Sequence, residues 1–375
     1  MRKNKMIAFA GGGTGGHIYP ALAVIAALRE HSGFEFFWIG RRAGVDRTIV
    51  EAAGIRFFGI KAGKLRRYFS LKNISDIVNI IAGFFESRVI FKREKPAMLF
   101  SKGGFVSVPP ALAAASLGIT VHTHESDFSA GLATRINARA ASVIWTAYEE
   151  SSRYFSPSLR KKLRVAGNPV RPAFRAASAE RGRLYIEGLT GYPLVKDRKI
   201  LLVLGGSQGA QEINSLVEAS RAKLCDVFFV VHQTGAAQSG CAGGKNYLPV
   251  AYIYDEMPDI LAAASLVLGR SGAGTLWEAA AAGTPMALVP LAGSGTRGDQ
   301  VENARYFEAK GAAAALIHPK PEELTAMLLD LAADEKRLSE MAAAARRIGE
   351  TDAAGIIAAG IVKAVSGSGG NGGGF

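Results

Sequence analysis

Cysteine is scarce in this 375-residue chain, which contains only Cys225 and Cys241. Because neither has the spacing or the neighbours of a metal site or a disulfide framework, both are predicted to be free thiols. No window approaches the ~18 uninterrupted apolar residues that a membrane-spanning helix needs. The chain opens on a short basic tip that runs into a strand, without the apolar length or cleavage site of a signal peptide. These absences favour a globular protein that stays in the cytoplasm.

Acidic residues are scarce relative to basic residues in the first half of the chain, but not in the second half. Residues 1–172 contain 26 Lys and Arg against 11 Asp and Glu, whereas the remaining residues contain 19 and 21. The excess behind the net charge of +13 therefore lies in the first half. A basic surface of this kind attracts nucleic acid or an anionic membrane.

Two common nucleotide-binding signatures are missing. No segment reads G-x-x-x-x-G-K-[ST], which disfavours a P-loop nucleotide hydrolase. The segment "FEFFWIGRRAG" ends in basic residues where a dinucleotide-binding fold has an acidic ribose ligand. NAD is therefore disfavoured as a cofactor.

What the chain does contain is a strand, a glycine turn and a helix, repeated three times. The segments are "KMIAFAGGGTGGHIYPALAVIAAL", "KILLVLGGSQGAQEINSLVEAS" and "LVLGRSGAGTLWEAAAAG". A glycine turn before a helix lets backbone N–H groups approach an anion closely. Because further strands alternate with helices, the pattern predicts an α/β protein of two Rossmann-like halves, each with a parallel sheet. The further predicted strands lie at 34–39, 97–101, 119–123 and 142–146 in the first half, and at 200–204, 227–231, 247–253, 266–268, 286–289 and 313–317 in the second.

The segment "GNPVRPAF", residues 167–174, contains two prolines and is predicted to join the two halves. We therefore expect an N-terminal domain at residues 1–166 and a C-terminal domain at residues 167–364. A flexible, glycine-rich tail is expected at residues 365–375. The last helix is expected either in the C-terminal domain or packed back on the first domain.

Several polar residues follow the glycine turns. His17 opens the helix after the first turn, near the positive end of its dipole. Ser207 lies in the second turn, where a helix N-terminus can hold a phosphate. Glu278, in the helix after the third turn, is predicted to accept hydrogen bonds from two ribose hydroxyls; the alternative is an ordinary solvated glutamate. The amides of Gln300 and Asn303 suit sugar hydroxyls.

The motifs as an ordered set resemble those of one bacterial family. They are "GGGTGGHIYPALAV", "SKGGFVSVPP", "HESDFSAGLATR", "GNPVRPAF", "GGSQGA", "HQTG", "RSGAGTLWEAAAAGTP" and "DQVENA". They stand in the order seen in the glycosyltransferases that add N-acetylglucosamine to undecaprenyl-diphosphate-N-acetylmuramoyl-pentapeptide, the step from lipid I to lipid II in peptidoglycan biosynthesis.

The resemblance implies a GT-B fold, in which two parallel sheets face each other across a cleft. It implies inverting transfer from UDP-N-acetylglucosamine to the C4 hydroxyl of the muramic acid sugar. It also implies that the enzyme needs no cofactor and no metal, and that it binds peripherally to the cytoplasmic face of the inner membrane.

The same resemblance implies a set of donor-binding residues. The loop that holds the uracil corresponds to "YIYDEM", where either Ile253 or Tyr254 is the matching residue. Some family members have asparagine and tyrosine where this chain has Asp127 and Phe105, so a role that needs an amide or a phenol is in doubt there. The predicted donor-binding residues are Thr14, Gly15, Gly16, Asp127, Arg171, Ser207, Gln208, Ile253, Tyr254, Glu278, Gln300 and Asn303.

An inverting transfer needs a base that takes the proton of the acceptor hydroxyl. His17 is the predicted catalytic base, because the helix dipole disfavours its protonated ring. The alternative is a histidine that packs the turn or orients an acceptor phosphate. Glu125 is the second predicted catalytic residue, either as the activating group or as a partner of His17. Glycine-turn N–H groups, helix dipoles and Arg171 are expected to stabilise the departing UDP.

The expected partners are the lipid-linked acceptor, an anionic membrane surface and other proteins of cell-wall synthesis, with no nucleic acid. Three rival readings stay open: a UDP-N-acetylglucosamine 2-epimerase, a nucleic-acid-binding module and a non-catalytic nucleotide-sugar sensor. For the membrane surface, the alternative is that about half of the candidate apolar side chains face inwards. Within the basic segment 61–95 these candidates are Tyr68, Phe69, Ile80, Ile81, Phe84 and Phe85.

Overall fold

The chain divides into two compact units. The structure, a computed structural model, describes residues 5–13, 15–44, 46–63, 72–205, 211–235, 243–293 and 297–367. Within these ranges the first unit extends to Pro169 and resumes at Asp352, and the second unit is Val170–Thr351. The division thus falls slightly later than the predicted one after residue 166.

The first unit contains a seven-stranded parallel sheet with the strand order β3-β2-β1-β4-β5-β6-β7. Short 3₁₀ helices follow three of these strands, at Gly15–His17, Phe105–Ser107 and Glu149–Tyr154. The elements are β1 (Lys5–Ala10), α1 (Tyr19–Arg29), β2 (Phe34–Arg41), α2 (Asp46–Ala52), β3 (Arg56–Ile60), α3 (Lys72–Glu94), β4 (Met98–Ser101), α4 (Val108–Ser116), β5 (Thr120–Glu125), α5 (Leu132–Ala140), β6 (Val143–Thr146), α6 (Pro157–Arg160) and β7 (Leu163–Val165).

Both faces of this sheet are buried, as the continuous apolar runs predict. Along β1, Ile7 and Phe9 enter one apolar core and Ala8 and Ala10 enter the other. The four strands predicted after β1 are present, but β3 and β7 were missed. Both are short edge strands that are only partly covered: Phe57 and Ile60 are the buried residues of β3, and β7 has none.

The second unit contains a six-stranded parallel sheet with the strand order β10-β9-β8-β11-β12-β13. All six strands predicted for this half are present. A 3₁₀ helix at Pro172–Phe174 precedes the first long helix. The elements are α7 (Ala179–Thr190), β8 (Lys199–Leu204), α8 (Gln211–Val227), β9 (Phe228–Gln233), β10 (Tyr247–Val250), α9 (Met257–Ala263), β11 (Leu266–Gly269), α10 (Ala273–Ala282), β12 (Met286–Leu288), α11 (Asp299–Ala309), β13 (Ala313–Ala315), α12 (Pro321–Ala333) and α13 (Glu335–Gly349).

The last helix, α14 (Ala353–Gly367), belongs to the first unit. Ile357 and Ile361 are fully buried in the same core as Ile7 and Phe9. A Cβ atom at Gly360 would lie 2.5 Å from the Trp145 ring, so the helix backbone packs directly on that tryptophan. The helix also continues to Gly367, past the predicted start of the tail at residue 365.

Two absences concern only the described part of the chain. None of its helices combines the length and the low polarity that crossing a membrane would require. Cys225 is a free thiol, as predicted, whereas Cys241 lies outside the described residues.

The packing of α14 predicts that this C-terminal helix stabilises the N-terminal sheet. Replacing the buried Ile361 by Ala should lower the free energy of unfolding of the first unit by about 2–5 kcal/mol, because it leaves a cavity. Ile356→Ala is the matched control, since Ile356 lies on the same helix and is 42% exposed. Urea titration followed by tryptophan fluorescence in a Trp277→Phe background reports on Trp38 and Trp145. Equal effects of the two substitutions would contradict the docked position of α14.

Candidate active site

The carboxyl ends of three neighbouring strands form the first candidate half-site. In the first sheet, β1 lies between β2 and β4, so the strand order reverses beside it. Parallel α/β sheets bind ligands at such a point, beyond the carboxyl ends of the strands. The loops after β1, β4 and β5 carry the "GGGTGGH", "SKGGF" and "HESD" motifs. Three motifs that are distant in the sequence therefore meet at one sheet edge.

The glycine loop after β1 is held by a buried carboxylate. The backbone N–H of Gly13 donates to both oxygens of Asp46, at 3.2 and 3.0 Å. A Cβ atom at Gly12 would lie 2.1 Å from Asp46 Oδ2, so only glycine fits there. The expectation that this turn offers its N–H groups to an external anion is therefore wrong for Gly13. A resident carboxylate already takes that N–H.

His17 lies at the end of the Gly15–His17 helix, just before α1, and is half-buried. Its ring packs against Gly104: a Cβ atom there would lie 3.0 Å from His17 Cδ2 and 3.2 Å from Nε2. Gly104 has φ 75°, a conformation that L side chains rarely adopt. The structure thus brings His17 and the "SKGGF" loop together.

Glu125 ends β5 and is buried. Its Oε1 accepts from the Asp127 N–H at 3.1 Å, and its Oε2 accepts from the Gly131 N–H at 2.9 Å. Both carboxylate oxygens therefore close the loop that leads to α5. This geometry gives Glu125 a structural task that the sequence did not predict.

Lys102, in the loop after β4, is a functional candidate that the sequence analysis missed. It is only 2% exposed, and its Nζ donates to Ser126 Oγ at 2.6 Å. Burial lowers its pKa to about 8, although the charges of Glu125 and Asp127 oppose this shift. A lysine directly after the fully buried strand "MLFS" was the available signal.

The second half-site lies where the strand order of the second sheet reverses between β8 and β11. Here the structure brings Arg171 and Glu278 together. Burial raises the pKa of Glu278 to about 7, against the opposing charge of Arg171. The Arg171 guanidinium lies over the Phe174 ring, 5.0 Å from its centroid. Glu278 is thus a half-buried carboxyl beside a cation, and the solvated reading does not hold.

The two predicted amides support the loops of this half-site. Gln300 Oε1 accepts from the Leu291 N–H at 2.9 Å. Asn303 is fully buried, and its Nδ2 donates to the Ser271 carbonyl at 3.1 Å. Ser271 Oγ in turn donates to the Gln300 carbonyl at 2.7 Å. Their assignment to sugar hydroxyls stays a prediction.

The predicted uracil loop is anchored by a residue that the sequence analysis did not single out. The N–H of the buried Ile253 donates to Gln233 Oε1 at 3.0 Å. Tyr254 is exposed, and its ring lies 4.5 Å from that of Tyr252. The signal for Gln233 was its place at the end of β9, in "HQTG".

The remaining predicted donor-binding residues are Thr14, Gly15, Gly16, Asp127, Ser207 and Gln208. Thr14, Ser207 and Gln208 lie outside the described residues. Gly15 and Gly16 lie in the turn before α1, and Asp127 is half-buried after β5. In the described ranges, no group of three or more His, Cys, Asp or Glu side chains is arranged to hold a metal ion.

Two family models match most of the chain. The glycosyltransferase family 28 N-terminal domain matches residues 7–146, and the C-terminal domain of the same family matches residues 200–356. The chain belongs to glycosyltransferase family 28. It is therefore a hexosyltransferase, and the two family 28 domains correspond to the two units of the fold.

Named relatives within family 28 cover nearly the whole chain. The UDP-N-acetylglucosamine–N-acetylmuramyl-(pentapeptide) pyrophosphoryl-undecaprenol N-acetylglucosamine transferase of Treponema denticola is 43% identical, over 94% of this chain and 96% of that protein. The crystal structure of Acinetobacter baumannii MurG is 25% identical, with a TM-score of 0.74, and covers 96% of this chain and 99% of that one. The predicted α/β GT-B fold with two Rossmann-like domains is confirmed.

A 2-epimerase shares the fold without sharing the sequence. The putative UDP-N-acetylglucosamine 2-epimerase of Listeria monocytogenes is 15% identical at a TM-score of 0.70, over 97% of both chains. This likeness concerns the fold alone. The family 28 matches decide between the transferase and the epimerase reading.

The contact between Gly104 and His17 predicts a position-specific effect of one methyl group. Gly104→Ala should lower the rate of sugar transfer at least about tenfold, since the added Cβ displaces His17. Gly118→Ala is the matched control: its φ is 70°, close to that of Gly104, but nothing lies within 4 Å of the new Cβ. Both variants should lose stability from backbone strain, by about 1 kcal/mol at Gly118 and by up to about 3 kcal/mol at Gly104, whose φ of 75° and ψ of 156° are essentially restricted to glycine. Steady-state transfer assays and thermal unfolding separate the two effects, and equal transfer rates would contradict the assigned contact.

Proposed function

We propose that this enzyme transfers N-acetylglucosamine from UDP-N-acetylglucosamine to the C4 hydroxyl of undecaprenyl-diphosphate-N-acetylmuramoyl-pentapeptide, converting lipid I to lipid II in peptidoglycan biosynthesis. The observation that carries the proposal is the Treponema denticola relative, which bears this activity in its name and matches 94% of the chain. The likeness to Acinetobacter baumannii MurG along nearly the whole chain supports it.

His17 is the base of the proposed reaction. As the acceptor C4 oxygen bonds to the anomeric carbon, the bond from that carbon to the UDP oxygen breaks, its electron pair leaves with UDP, and the proton moves to the His17 ring. A half-buried imidazole just before α1, beside the positive end of the helix, supports this role. Glu125 is the less suitable base, because both of its oxygens already accept backbone hydrogen bonds.

The second unit holds the donor in this proposal. Glu278 accepts the ribose hydroxyls, and Arg171 beside it stabilises the charge that develops on UDP. Family resemblance adds Ser207 and Gln208 for the phosphates, and the Ile253–Tyr254 segment for the uracil. In this proposal Gln233 acts through Ile253, because its hydrogen bond fixes the backbone segment that faces the uracil.

We further propose that the transfer needs no metal ion and no cofactor. The charge of the departing UDP is balanced by Arg171 and by the N–H groups and dipole at the start of α10. Persistence of activity in EDTA tests this part separately from the rest.

The enzyme is proposed to dock peripherally on the anionic cytoplasmic face of the membrane, through α3 of its basic first unit. Of the predicted apolar residues, Ile81 and Phe85 are exposed, Ile80 and Phe84 are half-buried, and Tyr68 and Phe69 lie outside the described residues. Four exposed apolar side chains of α3 follow an i, i+4 spacing, of which the sequence analysis named two. They are Ile77, Ile81, Phe85 and Val89, and the exposed Val78 lies beside them, three residues before Ile81.

The reaction is tested by measuring UDP release from UDP-N-acetylglucosamine with and without a short-chain lipid I analogue, in EDTA, with the mass of the product determined. Acceptor-dependent release with a disaccharide product is expected. Hydrolysis without an acceptor, or binding of the donor without transfer, would contradict the proposed function.

His17→Ala should lower kcat by about 100-fold to 10,000-fold and leave the KM for the donor nearly unchanged, since general base catalysis acts in the transition state. His31→Ala is the control, because His31 is exposed just after α1. The initial rates at saturating acceptor give both constants. A His17→Ala enzyme with near wild-type kcat would remove His17 as the base.

Donor binding should depend on pH through Glu278. With a pKa raised to about 7, this carboxyl is protonated below neutrality and becomes a better acceptor for ribose hydroxyls as the pH rises. The Kd for UDP-N-acetylglucosamine should therefore fall between pH 6 and pH 8, and binding at pH 7 should release about half a proton. Titration calorimetry in buffers of different ionisation enthalpy measures the release.

Glu278→Gln should abolish this proton release and weaken donor binding at high pH. Glu180→Gln, at an exposed position in α7, should change neither quantity. Proton release that persists in Glu278→Gln would assign the titration to another group.

Membrane binding should depend on the exposed face of α3. A Phe85→Glu and Ile81→Glu double substitution should weaken binding to anionic phosphatidylglycerol vesicles at least about tenfold, because each side chain buries apolar area in the membrane. Leu184→Glu with Val195→Glu, at comparably exposed positions of the second unit, is the control. Vesicle sedimentation at low and high salt measures both, and unchanged binding of the α3 variant would contradict this docking surface.

A further inference from the structure

Lys102 is a buried charged residue to which the proposed function assigns no task. Taking an ammonium group out of water is costly unless it is hydrogen-bonded and balanced by opposite charge. Lys102 is only 2% exposed, and it lies in the loop after β4, beside the glycine loop after β1. Its backbone N–H donates to the Ala10 carbonyl at 2.8 Å. The Lys102 side chain therefore starts at the carboxyl ends of β1 and β4, beside the loop that carries His17.

A chain of hydrogen bonds leads from this ammonium across two further segments. Lys102 Nζ donates to Ser126 Oγ at 2.6 Å, and the Ser126 hydroxyl donates to Asn168 Oδ1. Ser126 and Asn168 are themselves buried. The chain thus ties the β4 loop, the β5 loop and the end of the first unit together.

The charged groups that interact with Lys102 lie at the start of the same β5 loop. Glu125 and Asp127 act on it electrostatically from the start of the β5 loop. The pKa of the buried His124 is lowered mainly by burial and further by the charge of Lys102. The His124 ring forms a hydrogen bond with the Gly167 carbonyl. One cation therefore faces two carboxylates, and Glu125 holds the loop 125–131 through the N–H groups of Asp127 and Gly131.

We propose that Lys102 is a positioning residue for the transfer reaction, whose buried ammonium fixes the loop 125–131 against the loop that carries His17. This inference rests on the proposed function for its effect on catalysis. Lys102 itself touches no substrate in this account, because it has almost no exposed surface. It acts through Ser126 and through the charge of Glu125.

The chain also contains an indication of why a lysine is suited to this position. Asp127 gives this loop a second carboxylate two residues after Glu125. The ammonium of Lys102 balances that charge. A neutral residue at position 102 would remove the positive charge that acts on both carboxylates.

Three variants test the proposal: Lys102→Met, Ser126→Ala and the combination of both. Lys102→Met should lower kcat/KM for the acceptor at least about 30-fold, with the KM for the donor changed less than about twofold. Ser126→Ala should act in the same direction. Because both lie in one chain of hydrogen bonds, the double variant should be no worse than Lys102→Met alone. Lys336→Met, a highly exposed lysine of the second unit, is the control.

A pH profile and hydrogen exchange separate positioning from simple loss of stability. The wild type should lose kcat/KM for the acceptor above about pH 8, and Lys102→Met should lack this decline, since the titrating group is gone. The amides of Asp127 and Gly131 should exchange at least about tenfold faster in Lys102→Met and in Ser126→Ala. Thermal unfolding shows whether the variants remain folded.

Several outcomes would overturn the inference: wild-type kcat/KM in Lys102→Met, an unchanged alkaline decline, additive effects of the two substitutions, or unchanged exchange in the loop. If Lys102→Met does not fold, Ser126→Ala alone decides through its exchange rates and its acceptor kinetics. If the wild type transfers no sugar, the proposed function fails, and hydrogen exchange still tests whether Lys102 holds the loop.

Discussion

Coverage of both faces of each parallel sheet by apolar side chains is the constraint on which the rest of the structure depends. In the first unit, β1 sends alternate residues into two separate apolar cores, and the last helix completes one of them. A charged or polar side chain within such a strand would face a dry core on either side. The polar chemistry is therefore displaced to the loops after the strands, where the motifs stand.

Close packing of these loops explains the glycines. Asp46 occupies the space that a side chain at Gly12 would need, and His17 occupies the space beside Gly104. These glycines thus serve to admit neighbouring side chains of the protein itself, in addition to any approach by a substrate. The consequence is a histidine held between two loops rather than on a freely moving turn.

Charged side chains with restricted access to solvent lie at both strand-order reversals. In the first unit Lys102 lies among carboxylates, and in the second unit Arg171 lies beside Glu278. Groups with displaced pKa values in a low-dielectric environment are expensive to maintain, and they cluster where enzymes bind and convert substrates. Each unit of this family 28 enzyme therefore has, at its strand-order reversal, a charged group with a shifted pKa: Lys102 in the first and Glu278 in the second.

The sequence by itself determined the architecture and most of the candidate residues. Buried parallel strands consist of continuous apolar runs and glycine turns mark their ends, so the pattern alone predicts two Rossmann-like units. It also predicts His17 and Glu125 close to strand ends and Glu278 in the helix after a glycine turn. Only the tertiary structure decided which of these residues share an environment, and that Gly13 already has a carboxylate partner. It also decided between the two expected positions of α14. Lys102, Gln233 and the edge strands escaped prediction for the same reason. Their roles depend on contacts between segments far apart in the chain, and local periodicity contains no information about such contacts.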